Sequence, residues 1–432
     1  MTASNRGARG LLGGTAIYTL SSLACASIPF LMLPVLTRLL TPEDYGTVAM
    51  FSVVVALFGA LTGLSVNGAV AMRYFDRASI DFPRYVGSCM AILGVSTIAI
   101  LTATAVSAPL LTRFTLLEPG WLELAVVVAG AQFVVQIALA IWQSAKQPWR
   151  FAGLRLFQAL LDAAASIALV IGAGLAWQGR LTGIALASLA AAVLAGGVLM
   201  RGGWIRGPVS REYVSNAMRF GLPLVPHALG GLLTSILDRF LLSNLLGVGS
   251  TGVYMVALQI GMVLGLFTDS FNRAYAPWLI ERLQHQDPRR DIKIVRFSYG
   301  YFAFVTIVAV ITSVAAPVVI PILVGAQFAR AAEVVGYMAF GYAFGGMYYM
   351  VTNYVFFAGR TTRLAIVTFC GGALNVAASY FLIQRNGVVG AAQGFMLSQA
   401  FVFLGTWRLA HQSRPMPWLS ALAWRPSRST SP

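Results

Sequence analysis

The sequence predicts an all-α polytopic membrane protein, with about twelve transmembrane helices in two parallel six-helix lobes around a central cavity. Three observations carry this expectation: an apolar composition, twelve apolar runs of spanning length, and an internal repeat. Of 432 residues, 58% are hydrophobic and 10% charged, whereas a soluble chain carries roughly 25% charged residues. A water-soluble fold buries only part of its chain, so this much apolar surface needs lipid as its solvent. The net charge of +16 would suggest nucleic acid in a soluble protein. Here the basic residues follow a topology rule instead, and no nucleic-acid partner is expected. Cys25, Cys89 and Cys370 lie in apolar runs without metal-ligand or disulfide spacing. Neither a metal nor a cofactor is expected.

A spanning helix needs about 20 mostly apolar residues. Such runs occur at 11–36, 46–72, 85–108, 121–143, 151–177, 181–200, 216–246, 251–272, 296–324, 331–357, 363–384 and 388–408. The first follows Arg6 and Arg9 and is longer than a signal-peptide core, so it is read as a retained span. Pro29, Pro34, Pro223, Pro226, Pro317 and Pro321 fall inside runs. They predict kinks, because neighbouring helices satisfy the freed backbone groups.

Charge tests the count. In this frame Arg38, Arg113, Arg180, Arg239, Arg330 and Arg385 lie towards one face of the bilayer, and the other 24 of the 30 basic residues towards the opposite face. By the positive-inside rule both termini are cytoplasmic. Trp121 and Trp177 fall at outer ends, and Trp142, Trp149, Trp204, Trp278 and Trp407 at inner ends, where an amphipathic ring prefers to sit. The expected organisation is an N-terminal lobe, 1–205, a C-terminal lobe, 206–412, and a disordered cytoplasmic tail, 413–432, rich in Pro, Ser and Arg.

Shifted by 206 residues, the stretch 33–61 lies over 239–267 without a gap. Leu36, Leu39, Leu40, Gly46 and Gly59 then meet Leu242, Leu245, Leu246, Gly252 and Gly265. The shared order is a helix end, a leucine pair, a short polar turn, a glycine and a further apolar helix. Helix one lies over helix seven, and an offset of six helices preserves orientation. The halves are therefore parallel repeats about an axis along the membrane normal. Two such lobes enclose a cleft, and their rocking gives alternating access.

A charge inside a span costs roughly 2.5–3.5 kcal/mol on insertion scales, so each needs a reason. Asp238 and Arg239, in helix seven, are either a structural pair or a cleft-lining site. Asp269 and Arg273 are four apart, the spacing of a same-face ion pair, and serve either as a brace or as a gate. Asp162 has no obvious local partner and is a candidate for proton coupling. Its bland reading is a hydrogen bond to a neighbouring helix. His227 is a further coupling candidate, imidazole being the side chain whose ordinary range lies near neutrality, against the commoner role of a packing residue. Arg38 and Arg73, near opposite ends of the helix one–two unit, either attract an anionic headgroup or anchor the interface. Amides at Gln132, Gln136, Asn353, Asn375, Gln393 and Gln399 either bind sugar hydroxyls or hold helices together. No HExxH, Walker A or GxSxG motif is present, which argues against an enzyme and against an ATP-driven engine.

The segment LPVLTRLLTPEDYG, ending helix one and opening helix two, resembles the signature of the Wzx-type polysaccharide flippases, within the multidrug/oligosaccharidyl-lipid/polysaccharide exporter superfamily. FGLPLVP at 220–226, DRFLL at 238–242 and GVYMVALQIG at 252–261 extend the resemblance over nearly the whole chain. It implies two lobes around a cationic cavity in the bacterial inner membrane. The implied substrate is undecaprenyl-diphosphate-linked oligosaccharide, flipped from the cytoplasmic to the periplasmic leaflet for surface polysaccharide. The implied partners are that lipid-linked oligosaccharide, the bilayer, and polysaccharide polymerase and chain-length proteins. The fork of arginine suits a diphosphate, so Arg38, Arg73, Arg239 and Arg273 are the substrate-binding candidates. Asp162, Asp238, Asp269 and His227 are the ion-coupling candidates. Helix one is uncharged between Leu11 and Leu36, whereas related lipid II flippases carry basic residues there and fourteen helices. Both differences argue against lipid II as substrate. The rival readings are a cation-coupled multidrug exporter and a membrane enzyme of polysaccharide assembly.

Overall fold

A computed structural model describes residues 3–284, 287–419 and 421. The described helices are, in chain order, α1 (Ala3–Leu39), α2 (Pro42–Leu61), α3 (Val66–Arg73), α4 (Phe82–Val106), α5 (Ala108–Thr115), α6 (Pro119–Ser144), α7 (Pro148–Ile167), α8 (Ala176–Arg201), α9 (Arg211–Gly221), α10 (Leu224–Leu246), α11 (Val248–Leu283), α12 (Pro288–Leu323), α13 (Ala331–Phe357), α14 (Thr361–Asn386) and α15 (Val388–Ser413). Among the described residues there is no strand. Among the described residues ten segments are long and apolar enough to cross a membrane, one of them running from α2 through α3. With α10 (23 residues) and α13 (27 residues), they match the twelve expected runs in order. The chain is a multi-pass membrane protein.

The starts of the helices are legible locally. Thr41 caps α2: its hydroxyl accepts from the Asp44 N–H at 3.1 Å, and the Asp44 carboxylate accepts from the Thr41 N–H at 2.9 Å. This is a reciprocal capping box, and Pro42 at the first helical position has no N–H to lose. Asp81 and Asp287 cap α4 and α12 one way only, their carboxylates accepting from the Arg84 N–H and from the Arg289 and Arg290 N–H groups.

No break falls at the prolines of α1 and α12. Pro29 and Pro34 lie within α1, and Pro317 and Pro321 within α12, without ending either helix. The second span breaks at a glycine instead. Gly63, Leu64 and Ser65 all have positive φ, and α3 starts afresh after them. The freed Gly63 N–H is satisfied by the Ser96 hydroxyl of α4 at 2.9 Å, and a Cβ at Gly63 would overlap the Phe133 ring. The expected run 216–246 is two helices. α9 is a short amphipathic helix, and the chain turns at Leu222–Pro223 before α10.

The chain divides into two compact units, Met1–Gly252 and Val253–Pro432. The division therefore comes later than the expected boundary at 205–206. The cause is local: Arg206 N–H donates to the Pro83 carbonyl at 3.0 Å, Arg84 Nε to the Pro208 carbonyl at 2.9 Å, and the Tyr85 hydroxyl to Asn216 at 3.2 Å. These contacts tie the linker and α9 to the start of α4.

Within the first unit the repeat has a physical counterpart. α2 opens at Pro42 and α11 at Val248, the two positions matched by the 206-residue shift. A Cβ on Gly46 would overlap the Val248 carbonyl, and a Cβ on Gly252 would overlap the Pro42 carbonyl. Each matched glycine thus lets the backbone of the other repeat approach, in the manner of small residues at membrane helix contacts. The contact is reciprocal.

In the second unit most of α13 is buried. Around it Phe271, Tyr275, Phe297 and Tyr301 stack, and Phe302, Phe403 and Trp407 form an adjoining aromatic cluster. The tail expected to be disordered from 413 is packed in its first part: Met416, Trp418 and Ala421 are buried. Residues 422–432 lie outside the described residues.

Candidate functional site

Helix α7 carries Arg155, Gln158, Asp162 and Ser166 at spacings of three, four and four residues, which places them on one face. That face looks onto α6, where Gln132 and Gln136 are one turn apart, and onto Ser188 of α8 and Cys25 of α1. Together they line a cavity of about 480 Å³. Gln132 and Ser188 sit near the middles of α6 and α8, so the cavity lies at mid-depth of the helices that form it. Gln132 donates to the Ser188 hydroxyl at 3.4 Å, and Asn67 of α3 donates to Gln136 at 3.3 Å.

One ion pair closes one end of this polar stripe. Arg180 of α8 reaches Asp162 through two contacts, Nη1 to Oδ1 at 2.5 Å and Nη2 to Oδ2 at 3.1 Å, and Nη1 also donates to Ser166. The fork geometry is that of a strong arginine–carboxylate pair, and both side chains are mostly buried, at 13% and 24% exposed. Asp162 takes the bland one of its two expected readings, a bond to a neighbouring helix, from a residue that sequence places beyond the turn after its own helix. Arg155 makes no ion pair among the described residues, its guanidinium lying 5.9 Å from the Phe151 ring. The cavity therefore keeps one uncompensated positive charge amid amides.

A second pocket of about 600 Å³ is formed by α3, α4 and α9 and is lined by Arg73, Asp76, Asn216, Arg219, Met72 and Phe75 among others. Arg73 donates from Nε to Asn216 at 3.2 Å and pairs with Asp76 at 2.9 Å. Arg219 is exposed, as are Met72 and Phe75. Two guanidinium groups beside apolar side chains make an amphipathic, cationic pocket.

The other expected site residues are dispersed. Arg38 is exposed at the end of α1, its Nη1 at 3.5 Å from the Pro34 carbonyl. Asp238 is buried and engaged, and Arg239 beside it is half-buried with no hydrogen-bond partner on Nε. The His227 side chain lies outside the described residues. In the second unit Asp269 and Arg273 form the same-face pair their spacing suggests, at 2.8 Å, with Arg273 largely exposed. Next to them Asn353 donates to Asn272 at 3.1 Å. Arg73 and Asp162 line different pockets. Sequence reasoning passed over Arg155, Gln158, Arg180 and Arg219. The first two were findable, because their spacing to Asp162 is helical; Arg155 had been counted only as a topology-setting cation.

Residues 11–282 match a family described as polysaccharide biosynthesis protein. Protein 1 of the Lsg locus of Haemophilus influenzae is 22% identical over 388 residues, covering 87% of this chain and 94% of that protein. Among solved structures, lipid II flippase MurJ in an inward closed conformation superimposes with a TM-score of 0.71 at 10% identity, covering 94% of this chain and 91% of MurJ. An inward-facing multidrug resistance MATE family transporter of the MOP superfamily gives 0.65 at 16% identity, covering 91% and 94%. The fold is the helical fold shared by those two structures.

Proposed function

We propose that this chain, which belongs to the polysaccharide biosynthesis protein family, is a flippase for undecaprenyl-diphosphate-linked oligosaccharide. It carries the lipid-linked sugar from the cytoplasmic to the periplasmic leaflet of the bacterial inner membrane by alternating access, with both termini cytoplasmic. Surface polysaccharide assembly receives the product, through a polymerase and chain-length proteins.

The observation that carries this reading is the polar cavity of the first unit. Polar groups at mid-depth are costly and tend to mark a substrate path. Three glutamines and a serine suit sugar hydroxyls, and Arg155 suits an anionic group. The pocket of Arg73 and Arg219 suits a diphosphate, with Met72 and Phe75 beside it for the isoprenoid. An exporter of organic cations would want a free carboxylate in the cavity. Here Asp162 is held by Arg180, and the remaining charge repels cations.

The test is deletion of the gene with leaflet-resolved lipid analysis. Lipid-linked oligosaccharide should accumulate on the cytoplasmic leaflet while surface polysaccharide falls. Unchanged polysaccharide with no accumulation rules the reading out.

A further inference from the structure

The second unit carries a groove that the transport reading does not use. After Ser413 the chain folds back along its own bundle. Arg414 donates to the Leu283 carbonyl and pairs with Asp291 at 3.6 Å. The Tyr299 hydroxyl donates to the Trp418 carbonyl at 3.0 Å, and Arg296 Nε to the Ala421 carbonyl at 3.1 Å. The returning segment and α15 wall a groove of about 550 Å³, lined by Leu404, Trp407, Arg408, His411, Trp418 and Leu419 among others.

We propose that this groove holds one anionic phospholipid of the surrounding bilayer, with an acyl chain along Leu404 and Leu419 and its phosphate at Arg408 and His411. The order of residues along α15 carries the argument. Leu404, Arg408 and His411 fall on one face at spacings of four and three. At 1.5 Å rise per residue, Arg408 and His411 lie roughly 6 and 10 Å beyond the leucine, towards the helix end. Trp407 sits between the apolar and the cationic levels. This sequence of chain-seeking, interfacial and phosphate-seeking groups is the order in which a bilayer presents chain, glycerol region and headgroup.

Exposure and charge point the same way. Leu404 and Leu419 are 57% and 86% exposed on the two walls, an arrangement that hydrocarbon stabilises and water does not. After Glu333 the chain contains no Asp or Glu but seven arginines. Asp291, reaching this end from α12, is engaged by Arg414. Arg360 adds a further cation beside the helix end, donating to the Gln412 carbonyl at 3.1 Å. The positive-inside rule accounts for cations at such an end. It does not account for two opposed exposed leucines framing them, nor for a tail fixed at four points to build the second wall. Charge complementarity selects an anionic headgroup over a zwitterionic one.

The test is native mass spectrometry of the purified full chain with phosphatidylglycerol or phosphatidylcholine added. The expected result is retention of one phosphatidylglycerol in preference to phosphatidylcholine. Arg408→Gln with His411→Gln should weaken that retention about ten-fold, while Arg408→Lys and the control Arg385→Gln keep it. Arg408 and His411 are both exposed, and an unchanged lipid-free melting temperature confirms the fold of the double variant. Equal retention of the two lipids by the parent protein overturns the proposal, as does undiminished phosphatidylglycerol in the double variant. A third contrary result is loss of lipid-linked oligosaccharide transport with phosphatidylglycerol binding intact, which would assign the groove to the substrate.

Discussion

Arg180 is held between Asp162 and Ser166 with both charged side chains mostly buried, so removing Asp162 leaves a guanidinium with no compensating charge. Breaking one side of such a pair costs more than replacing both sides by apolar groups. Asp162→Asn should therefore destabilise the protein by about 2–4 kcal/mol, read as a lowered melting temperature in detergent. Asp162→Leu combined with Arg180→Met should recover most of that loss. A double variant no more stable than the single one would show that the pair is not what Asp162 contributes. Arg155 differs, being exposed and without an ion pair among the described residues. Arg155→Ala should lower surface polysaccharide at least ten-fold at normal protein level, and Arg155→Lys should restore only part, since the ammonium lacks the fork. Alanine at Arg73, Arg239 and Arg273 provides the comparison. Normal polysaccharide in all three would remove them as substrate contacts. The Asp162–Arg180 pair was hidden from sequence because it spans the turn between α7 and α8. Hydropathy places Arg180 outside the span, and only the bend of the chain returns it.

Elements show the same contrast between local and tertiary causes. Helix starts at Thr41, Asp81 and Asp287 were open to reading, because capping depends on neighbours in sequence. The repeat was also readable, and its matched glycines turned out to touch. Gly46→Ala and Gly252→Ala each force a methyl group onto a carbonyl of the other repeat. Each should cost about 1–3 kcal/mol and reduce the folded fraction recovered in detergent. Gly59→Ala has open space around it and should be neutral or stabilise by about 0.5–1 kcal/mol. If all three behave alike, the glycine contact does not matter. The break at Gly63–Ser65 escaped hydropathy because its cause lies on other helices: the Ser96 hydroxyl that satisfies the backbone and the Phe133 ring that fills the space. Prolines, in contrast, are tolerated inside α1 and α12, where their helices run on.

For the whole molecule, composition yielded the class, because it reports on the bilayer rather than on packing. The organisation into units needed coordinates, since contacts at Pro83 and Pro208 decide with which unit α9 travels. Cysteine labelling should find the N-terminus and residue 210 on the same, cytoplasmic, face; opposite faces would remove a helix from the count and undo the parallel repeat. The central claim is movement of a lipid-linked sugar across the bilayer. Its most direct measurement uses the purified chain in liposomes loaded with lipid-linked oligosaccharide, with external lectin reporting which leaflet holds the sugar. The inner-leaflet fraction should become lectin-accessible with the parent protein and far more slowly with Arg155→Ala. An inner-leaflet fraction as inaccessible as in protein-free liposomes would contradict the account.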